Sequence, residues 1–357
     1  MPPLLNEDIA DILDVHSIDW EILRGKRVFI TGGTGFFGCW LIEAILAANE
    51  KFRLCAELVV QSRDPEAFLS RNVHFARRPG LRWVKCGIFE LTPAVVWSQL
   101  DDAAAFDCVI HLVTEGNLSA FATDPIGAID VIVGGTRAAL EFARDAAAQR
   151  FLFTSSGSVY AKPMPLGVKE TELSAPSAID VNSSYAAAGN AKRQAELLCA
   201  AFAKQHGIHV IVARCFTFVG PYLPLDEKFA VGNFIRDALQ AGEVVVRGDG
   251  TPVRSYMYGS DLAVWLLALL TRGRKGAAYN VGAKRPCTIG ELAHEVANVS
   301  IPPLRVKILG AAELGRAPDV YVPSVELCAA ELGLKEKVGL PEAIQRTLRW
   351  ARLSAQG

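Results

Sequence analysis

Three side chains in the middle of the chain could together move a proton: Ser156, Tyr185 and Lys192. A serine hydroxyl at the end of a strand can hydrogen-bond a reacting oxygen of a substrate. A tyrosine serves as an acid or base near neutral pH only when its pKa is lowered, and a nearby ammonium group lowers it. These residue types predict a tyrosine acid–base centre assisted by a lysine, with Ser156 holding the substrate oxygen.

The spacing of Tyr185 and Lys192 sets a geometric problem. Residues seven apart on a regular helix share a face but lie ~10 Å apart along its axis. Gly189 between them favours a bulge or a non-helical start, either of which would shorten this distance. Two other interpretations stay open: the chemistry has changed or been lost, or Tyr185 only packs or caps.

A glycine-rich stretch near the N-terminus could bind phosphate. Gly32, Gly35 and Gly38 follow a short strand predicted at 28–30 and precede an apolar helical run at 39–48. Such a turn lets a pyrophosphate approach the backbone, and the positive end of the next helix points at it. The alternative is a purely structural tight turn. The residues predicted to bind a dinucleotide here are Gly32, Thr34, Gly35, Phe36, Phe37 and Gly38.

The end of the second predicted strand, at 57–61, bears on the type of dinucleotide. An acidic residue there would bind the ribose hydroxyls of NAD, whereas this chain has Ser62 followed by Arg63. An arginine at this place can pair with the 2′-phosphate of NADP. We therefore predict NADP, with NAD as the alternative if Arg63 is a solvated residue that stacks on adenine.

These residues need a sheet to position them. Alternating strands and helices predict a doubly wound parallel sheet of the α/β class. Leu112, at the end of the fourth strand, is assigned to the cofactor site. The further strands are predicted at 81–86, 106–112, 149–156 and 208–213, and the long helices at 126–148 and Ser184–His206.

Three regions are expected along the chain. Residues 1–24 form a helical extension, residues 25–215 a dinucleotide-binding Rossmann domain, and residues 216–357 mainly a smaller α/β substrate-binding lobe interleaved with it. Loop signals rich in glycine and proline mark the last region. Such a lobe would cover the carboxyl ends of the strands, where ligands bind in sheets of this kind.

The composition limits the partners and the compartment. The 357 residues carry a formal net charge of -1, which argues against a general binder of nucleic acid or anionic membranes. The sequence has no apolar run of transmembrane length and no basic-then-apolar leader, so a cytoplasmic protein without a membrane partner is expected. Eight scattered cysteines without zinc-site spacing predict reduced core thiols and no metal.

Taken together, these motifs resemble the extended short-chain dehydrogenase/reductase family, in its group of nucleotide-sugar epimerases, dehydratases and reductases. The resemblance covers nearly the whole chain from Gly25 onward. The stretches that carry it are 31–38, 155–160, 192–196, Arg214 with 219–221, 248–256 and 279–282.

The resemblance implies a bound NAD(P) and a nucleoside-diphosphate sugar as substrate. By position, Ser156 matches the catalytic Ser/Thr, and Lys192 would also hold the nicotinamide ribose. Thr217, Asn233 and Arg254 match substrate positions, and the planar fork of Arg254 suits a diphosphate, although a structural ion pair is the alternative. A homodimer through the two long helices, as a four-helix bundle, is implied as well.

The sequence departs from the family pattern at the acid–base pair. Family members carry Tyr-x-x-x-Lys, which places the two side chains one turn apart. Measured from Tyr185 the lysine position holds Gly189, and measured from Lys192 the tyrosine position holds Ala188. We expect Tyr185 and Lys192 to be the catalytic pair nonetheless.

Other departures help to choose a reaction. Gly87 stands where an adenine-contacting Asp is common, and Thr217 where an Asn is common. The family's 4,6-dehydratases carry an Asp-Glu pair where this chain has Gly157 and Ser158, which makes water elimination a less favoured reaction.

Three functional hypotheses remain. The leading one is an epimerase-type enzyme that transiently oxidises a hydroxyl of a nucleoside-diphosphate sugar to a ketone. The second is an NADPH-dependent reductase of a keto-sugar nucleotide, which Arg63 favours. The third, from another class, is a cofactor-binding module without turnover, and the disturbed Tyr–Lys spacing supports it.

Overall fold

The computed structural model describes residues 1–114, 120–172, 183–225, 229–240, 242–313 and 315–356. Within these ranges the strands are β1 (Arg27–Thr31), β2 (Glu57–Ser62), β3 (Leu81–Lys85), β4 (Cys108–His111), β5 (Arg150–Ser156), β6 (His209–Cys215), β7 (Phe218–Val219), β8 (Val244–Val246), β9 (Val253–Arg254), β10 (Met257–Tyr258), β11 (Ala278–Val281), β12 (Cys287–Thr288), β13 (Val306–Ile308) and β14 (Val320–Tyr321).

The α-helices in the same ranges are α1 (Asn6–Leu13), α2 (Phe36–Phe52), α3 (Pro65–Arg71), α4 (Pro93–Leu100), α5 (Ala120–Thr123), α6 (Pro125–Asp145), α7 (Ser184–His206), α8 (Ala230–Leu239), α9 (Gly259–Arg272), α10 (Ile289–Val299), α11 (Glu326–Leu332) and α12 (Leu340–Gln356). Short 3-10 helices span Trp20–Leu23, Val73–Phe75, Ile88–Glu90 and Gly157–Val159. Among the described helices, none combines the length and the apolar character needed to cross a membrane.

A seven-stranded parallel sheet forms the centre of the protein, in the order β11-β6-β5-β4-β1-β2-β3. It confirms the predicted doubly wound α/β fold. Because β1 pairs with both β2 and β4, the strand order reverses at β1. The carboxyl ends of β1 and β4 therefore open the crevice where ligands bind in such sheets.

Helices cover both faces of this sheet, so its central strands are buried on both sides. Val28 and Ile30 point into one core, which α2 and α9 share. Phe29 points into the opposite core, formed with α6 and α7. Successive side chains of a strand point to opposite faces, and both faces here are apolar. This is why the short run at 28–30 was enough to predict β1.

The predicted elements are present with small shifts at their ends. β4 ends at His111, one residue before the predicted end, and β6 runs on to Cys215, two residues beyond it. α6 ends at Asp145 rather than at residue 148, because Ala147 adopts a left-handed φ of 60°. α7 has its predicted bounds, and Gly207 ends it with φ 75°.

The strands after β6, apart from β11, form smaller sheets, and one of these sheets contributes residues to the site. Its three strands lie in the order β12-β9-β14. The β9–β14 pairing is parallel and sets Tyr321 opposite Arg254. The C-terminal part of the chain thereby brings Tyr321 next to a predicted substrate residue.

Candidate active site

Close backbone contacts shape the glycine turn between β1 and α2. Gly32 has φ 69°, and a Cβ there would lie 2.9 Å from the Val113 nitrogen. A Cβ on Gly38 would lie 2.2 Å from the Gly33 oxygen, so only glycine lets α2 approach the turn this closely. At Gly35 a Cβ would meet its nearest atom at 3.5 Å. The turn thus presents bare backbone at the start of a 17-residue helix, which fits a pyrophosphate.

The other residues predicted for the turn lie around it. Phe36 and Phe37 begin α2, and the ring of Phe37 packs edge-on against Phe218 with centroids 5.0 Å apart. Leu112 follows β4, and its N–H donates to the carbonyl of the last residue of β1. Thr34 is half-buried within the turn itself. The structure therefore brings these residues together at the β1–β4 crevice.

The end of β2 holds a buried serine and an exposed arginine. Ser62 Oγ accepts the Asp64 N–H at 3.2 Å, and Arg63 between them is exposed. Asp64 is the next acidic residue along the chain, but its carboxylate accepts the Ala67 N–H at 3.0 Å and caps α3. The acidic group at this edge of the sheet therefore serves the fold.

Lys192 is the buried cation of the site. Its side chain reaches the end of β5, where Nζ donates to the Thr154 carbonyl at 2.8 Å and lies 4.8 Å from the Phe153 ring centroid. Burial lowers the pKa of Lys192 to about 8, although nearby Cys215 and Glu196 act in the opposite direction. An ammonium group with this pKa can release a proton not far above neutral pH.

Ser156 ends β5 and is paired with a tyrosine that the sequence reasoning missed. Its Oγ accepts the Ser158 N–H at 3.1 Å and lies 3.1 Å from Tyr321 Oη. Tyr321 Oη also reaches the Cys215 carbonyl at 3.5 Å, and Cys215 stands opposite Ser156 in the β5–β6 register. The tyrosine hydroxyl within hydrogen-bond distance of Ser156 thus comes from β14.

Tyr185 lies in the first turn of α7, which is α-helical from Ser184 to His206. The helix has no bulge or non-helical start to absorb the extra residues, so two turns, or ~10 Å of helix axis, separate Tyr185 from Lys192. The buried Tyr185 hydroxyl finds no hydrogen-bond partner among the described residues, and burial raises its pKa. Lys162 Nζ lies 4.1 Å from its ring centroid.

Arg254 forms an ion pair with a carboxylate at the rim of the site. Its Nη2 donates to the Asp319 carboxylate at 2.8 Å, and Lys162 Nζ donates to the other oxygen of that carboxylate at 2.7 Å. Burial acts to raise the pKa of Asp319, but the hydrogen bonds from Lys162 and Arg254 outweigh it and lower the pKa. The side chains of Arg254 and Asp319 are 22% and 39% exposed, so a ligand can reach this pair.

The two remaining substrate predictions differ in their surroundings. The Thr217 hydroxyl donates to the Ser255 carbonyl, which commits it to the backbone. Asn233, on α8, faces a cavity of about 480 Å³. Besides Asn233, this cavity is lined by residues that include Arg236, Arg247, Gly248, Pro252 and Ile289.

A buried network fixes α7 against the sheet. Arg214 on β6 donates to both carboxylate oxygens of Glu196, at 3.0 and 2.7 Å, and the Ser155 hydroxyl donates to Glu196 at 2.6 Å. Arg214 also donates to Tyr160 Oη at 3.0 Å, and Tyr160 donates to Asn280 at 2.7 Å. These bonds join β5, β6, α7 and β11.

His111, at the end of β4, is a neutral histidine that belongs to the core. The Thr136 hydroxyl donates to the Ile132 carbonyl at 2.6 Å, so it can only accept from His111 Nε2, 3.3 Å away. His111 Nδ1 then accepts from the Thr31 hydroxyl at 2.7 Å. Burial, followed by the charge of Lys192, lowers the pKa of His111 to about 3.

Sequence reasoning missed Lys162, Asp319 and Tyr321 in this site. The alternation around residues 319–322 could have signalled a short strand with Asp319 and Tyr321 on one face. It could not have named the partner, because Tyr321 stands 165 residues beyond Ser156. Only the packing of the C-terminal sheet on the strand ends reveals the contact.

Known proteins are similar to this chain in sequence. The chain is 28% identical over 319 residues to UDP-glucuronic acid decarboxylase 6 of Arabidopsis thaliana. The matched residues cover 89% of this chain and 86% of that relative. It is 27% identical over 327 residues to UDP-glucuronic acid decarboxylase 1 of Xenopus tropicalis, covering 92% and 72%.

Solved structures show the same fold. The UDP-glucuronic acid 4-epimerase of Bacillus cereus, in complex with UDP-glucuronic acid and NAD, superposes with a TM-score of 0.75 at 20% identity, covering 92% of this chain and 99% of that one. The dTDP-glucose 4,6-dehydratase of Streptomyces venezuelae, with NAD bound, superposes with a TM-score of 0.75 at 24% identity, covering 92% and 97%.

The family match agrees with the site. The model of the NAD dependent epimerase/dehydratase family matches residues 28–282, which contain the glycine turn, Ser156, Lys192 and Arg254. This confirms the resemblance to the extended short-chain dehydrogenase/reductase enzymes. The protein belongs to the NAD dependent epimerase/dehydratase family and is an NAD(P)-dependent enzyme of the extended short-chain dehydrogenase/reductase type.

Proposed function

We propose that the protein transiently oxidises a hydroxyl of a nucleoside-diphosphate sugar to a ketone and then reduces it again, as an epimerase does. One observation supports this most: the Ser156 hydroxyl lies at the carboxyl end of β5, and the buried Lys192 ammonium is bonded to the Thr154 carbonyl two residues before it. In the sheet, β5 is separated from the glycine turn at the end of β1 only by β4. A sugar and a dinucleotide bound side by side over these strand ends would meet between them.

The chain's residues fit a dinucleotide at the β1–β4 crevice. Gly32, Gly35 and Gly38 would hold its pyrophosphate, since these three positions add no side chain to the turn. When bound, the cofactor would accept a hydride from a sugar carbon and return it. Our proposal for its type remains NADP: Asp64 caps α3, and the exposed Arg63 could pair with a 2′-phosphate.

The substrate would lie between the strand ends and the C-terminal sheets. The 480 Å³ cavity beside Asn233 has the size of a small-molecule site and would hold the nucleoside. Arg254 would bind the diphosphate in place of Asp319, because a guanidinium fork pairs well with either anion. The sugar would then extend toward Ser156.

The chain's own residues have distinct tasks in this reaction. The Ser156 hydroxyl would hydrogen-bond the oxygen that becomes the ketone, and its Ser158 N–H contact orients it. Lys192 would hold positive charge beneath the reacting centre and favour a nearby tyrosinate. Gly157 and Ser158 supply no carboxylate, so the turn after β5 offers no group to expel water.

A decarboxylase is the second candidate, because the matching relatives are named UDP-glucuronic acid decarboxylases. Oxidation of the hydroxyl next to the carbon that bears a uronic carboxylate makes a β-keto acid. Such an acid loses carbon dioxide readily. Both candidates therefore share the same first step and differ in what happens to the ketone.

The test is product analysis with purified protein, UDP-glucuronic acid or UDP-glucose, and substoichiometric NAD or NADP. We expect an epimer of unchanged mass, detected by NMR, and no net change in reduced cofactor. Loss of carbon dioxide from UDP-glucuronic acid would select the decarboxylase. Stoichiometric consumption of NADPH with a keto-sugar would select the reductase. Cofactor binding without any turnover would contradict the proposal and favour the non-catalytic module.

We also propose a homodimer, through α6 and α7, which pack against each other. Ile126 on α6 and Leu197 on α7 are large apolar residues with 73% and 64% of their surface exposed. A four-helix bundle with a second copy would cover them. Light scattering should give twice the chain mass, and Leu197→Glu should shift it to the monomer. An unchanged monomer mass for the wild type would contradict the dimer.

A further inference from the structure

We propose that Tyr321, on β14, exchanges the hydroxyl proton of the substrate, in the place that the sequence assigned to Tyr185. This inference rests on the proposed function, since it names a residue of the same reaction. It starts from one contact, the 3.1 Å hydrogen bond between Tyr321 Oη and Ser156 Oγ. A substrate oxygen held by Ser156 would lie beside Tyr321 as well.

The local fold builds a place for this phenol. Gly157 follows Ser156, and a Cβ on Gly157 would lie only 2.8 Å from Tyr321 Oη. The Tyr321 ring packs against the ring of Phe216, with centroids 4.7 Å apart. The pairing of β14 with β9 fixes the backbone behind it. Tyr321 is therefore held at the strand ends from three sides.

Two hydrogen bonds and the charge of Arg254 oppose the effect of burial on the Tyr321 hydroxyl. Burial raises the pKa of Tyr321 to about 12, while hydrogen bonds from Ser156 and the Gly157 backbone, with the charge of Arg254, act to lower it. Lys192 Nζ is bonded at Thr154, two residues before Ser156, a separation of ~7 Å along a strand. Its positive charge would favour the phenolate form, more so when a ligand excludes water.

Tyr185 lacks the hydrogen bonds that hold Tyr321, although the charge of Arg254 acts to lower the pKa of both tyrosines. Its hydroxyl has no partner among the described residues, and it stands two turns of α7 from Lys192. Lys162 faces its ring rather than its oxygen, and Asp319 neutralises that lysine. Ala188, one turn before Lys192, carries only a methyl group. The missing hydroxyl of α7 is thus supplied from the opposite side of the site.

The step balances in protons and electrons. The O–H bond of the sugar hydroxyl breaks, and its proton passes to the phenolate oxygen of Tyr321. The C–H bond of the same carbon breaks as a hydride leaves for the oxidised nicotinamide cofactor, and a C=O bond forms. On the return, the hydride adds back to the carbon and Tyr321 returns the proton to the oxygen. Ser156 donates to that oxygen in both directions.

Paired tyrosine variants test this assignment. We expect Tyr321→Phe to lower kcat at least 100-fold with KM within about threefold of wild type, because acid–base catalysis contributes about 10²- to 10⁴-fold. Tyr185→Phe should lower kcat less than tenfold. Tyr279→Phe, whose hydroxyl donates to Glu331 on α11, is the matched control and should keep wild-type activity. Equal melting temperatures would show that each variant folds.

A second readout does not need turnover. Phenolate absorbance is followed from pH 7 to pH 10, with and without saturating NAD or NADP. We expect oxidised cofactor to bring one phenolate to lower pH in wild type and Tyr185→Phe, and this signal to vanish in Tyr321→Phe. A signal that survives in Tyr321→Phe but vanishes in Tyr185→Phe, or a kcat loss confined to Tyr185→Phe, would overturn the proposal. If wild type converts no sugar nucleotide, the proposed function fails and this titration still decides between the two tyrosines.

Discussion

The two halves of the site are fixed by different kinds of contact. In the half around β1 and α2, the backbone half, glycine backbone atoms touch one another, and an added Cβ on Gly38 would lie 2.2 Å from the Gly33 oxygen. In the half around β5, β6 and β14, the side-chain half, side chains from distant parts of the chain meet, such as Ser156 and Tyr321. The first half tolerates no added atom at Gly38, whereas the second depends on polar groups that other elements can supply.

The largest loss of stability is expected in the buried part of the side-chain half. Arg214→Met leaves the Glu196 carboxylate without its cation, and breaking a buried pair of this kind costs about 3–5 kcal/mol. Denaturant unfolding measures this loss. Arg137→Met breaks an exposed pair with Glu141 and is the control, expected to cost less than about 1 kcal/mol. Equal losses in the two variants would contradict the structural role of Arg214.

Adding one atom tests the backbone half. Gly38→Ala forces its Cβ against Gly33, and we expect it to lower the free energy of unfolding by about 3 kcal/mol. Gly35→Ala should keep the melting temperature, because its Cβ would lie 3.5 Å from the nearest atom. It should weaken dinucleotide binding, because it adds a methyl group to the surface that meets the phosphates. Melting curves and cofactor titrations separate the two effects. Similar melting temperatures for both variants would refute the close contact at Gly38.

The buried His111, which lies between the two halves, should make the free energy of unfolding depend on pH. Its folded pKa of about 3 lies below the ordinary 6.5, so the unfolded chain binds a proton that the folded chain does not. Stability should therefore fall as pH drops from 6.5 toward 3, by at most about 1.4 kcal/mol per pH unit from this group. His111→Gln should flatten the slope of unfolding free energy between pH 4 and pH 6.5. An unchanged slope would show that His111 titrates normally.

The smallest effect is expected at the exposed rim of the side-chain half. Asp319→Asn removes the carboxylate that competes for Arg254, so we expect UDP to bind about three- to tenfold more tightly, a change of about 0.7–1.4 kcal/mol. Calorimetry measures this affinity. Glu326→Gln, which breaks the exposed pair with Lys169, serves as control and should leave it unchanged. Weaker binding in Asp319→Asn would mean that Asp319 positions Arg254 instead of competing with the ligand.

The sequence predicted the backbone half well because its requirements are local. Apolar runs such as 28–30 become buried parallel strands, Gly32 has a left-handed φ of 69°, and Gly35 and Gly38 face backbone atoms of Gly32 and Gly33, close by in the chain. The parallel, doubly wound character of the sheet followed from the alternation of strands and helices. The elements differed only at their ends, as at Ala147, where a left-handed residue stops α6 early.

The side-chain half was less predictable because its contacts join distant positions. Ser156 was found from its place at the end of β5 and Lys192 from its place on the following helix, but nothing in the sequence pairs Ser156 with Tyr321 or Arg254 with Asp319. The assignment of the proton to Tyr185 stays a prediction that the paired variants decide. When a site is assembled from several elements, a hydroxyl from one element can replace a hydroxyl from another. The sequence pattern of neither element shows the replacement.

The central claim, transient oxidation with return of the same hydride, is tested most directly with isotope. The UDP-sugar that the protein converts is prepared with deuterium on the reacting carbon and incubated with a substoichiometric amount of cofactor. We predict that the product keeps the deuterium on that carbon, with no net formation or consumption of reduced cofactor. Replacement of the deuterium by hydrogen, or one reduced cofactor consumed for each product molecule, would contradict it.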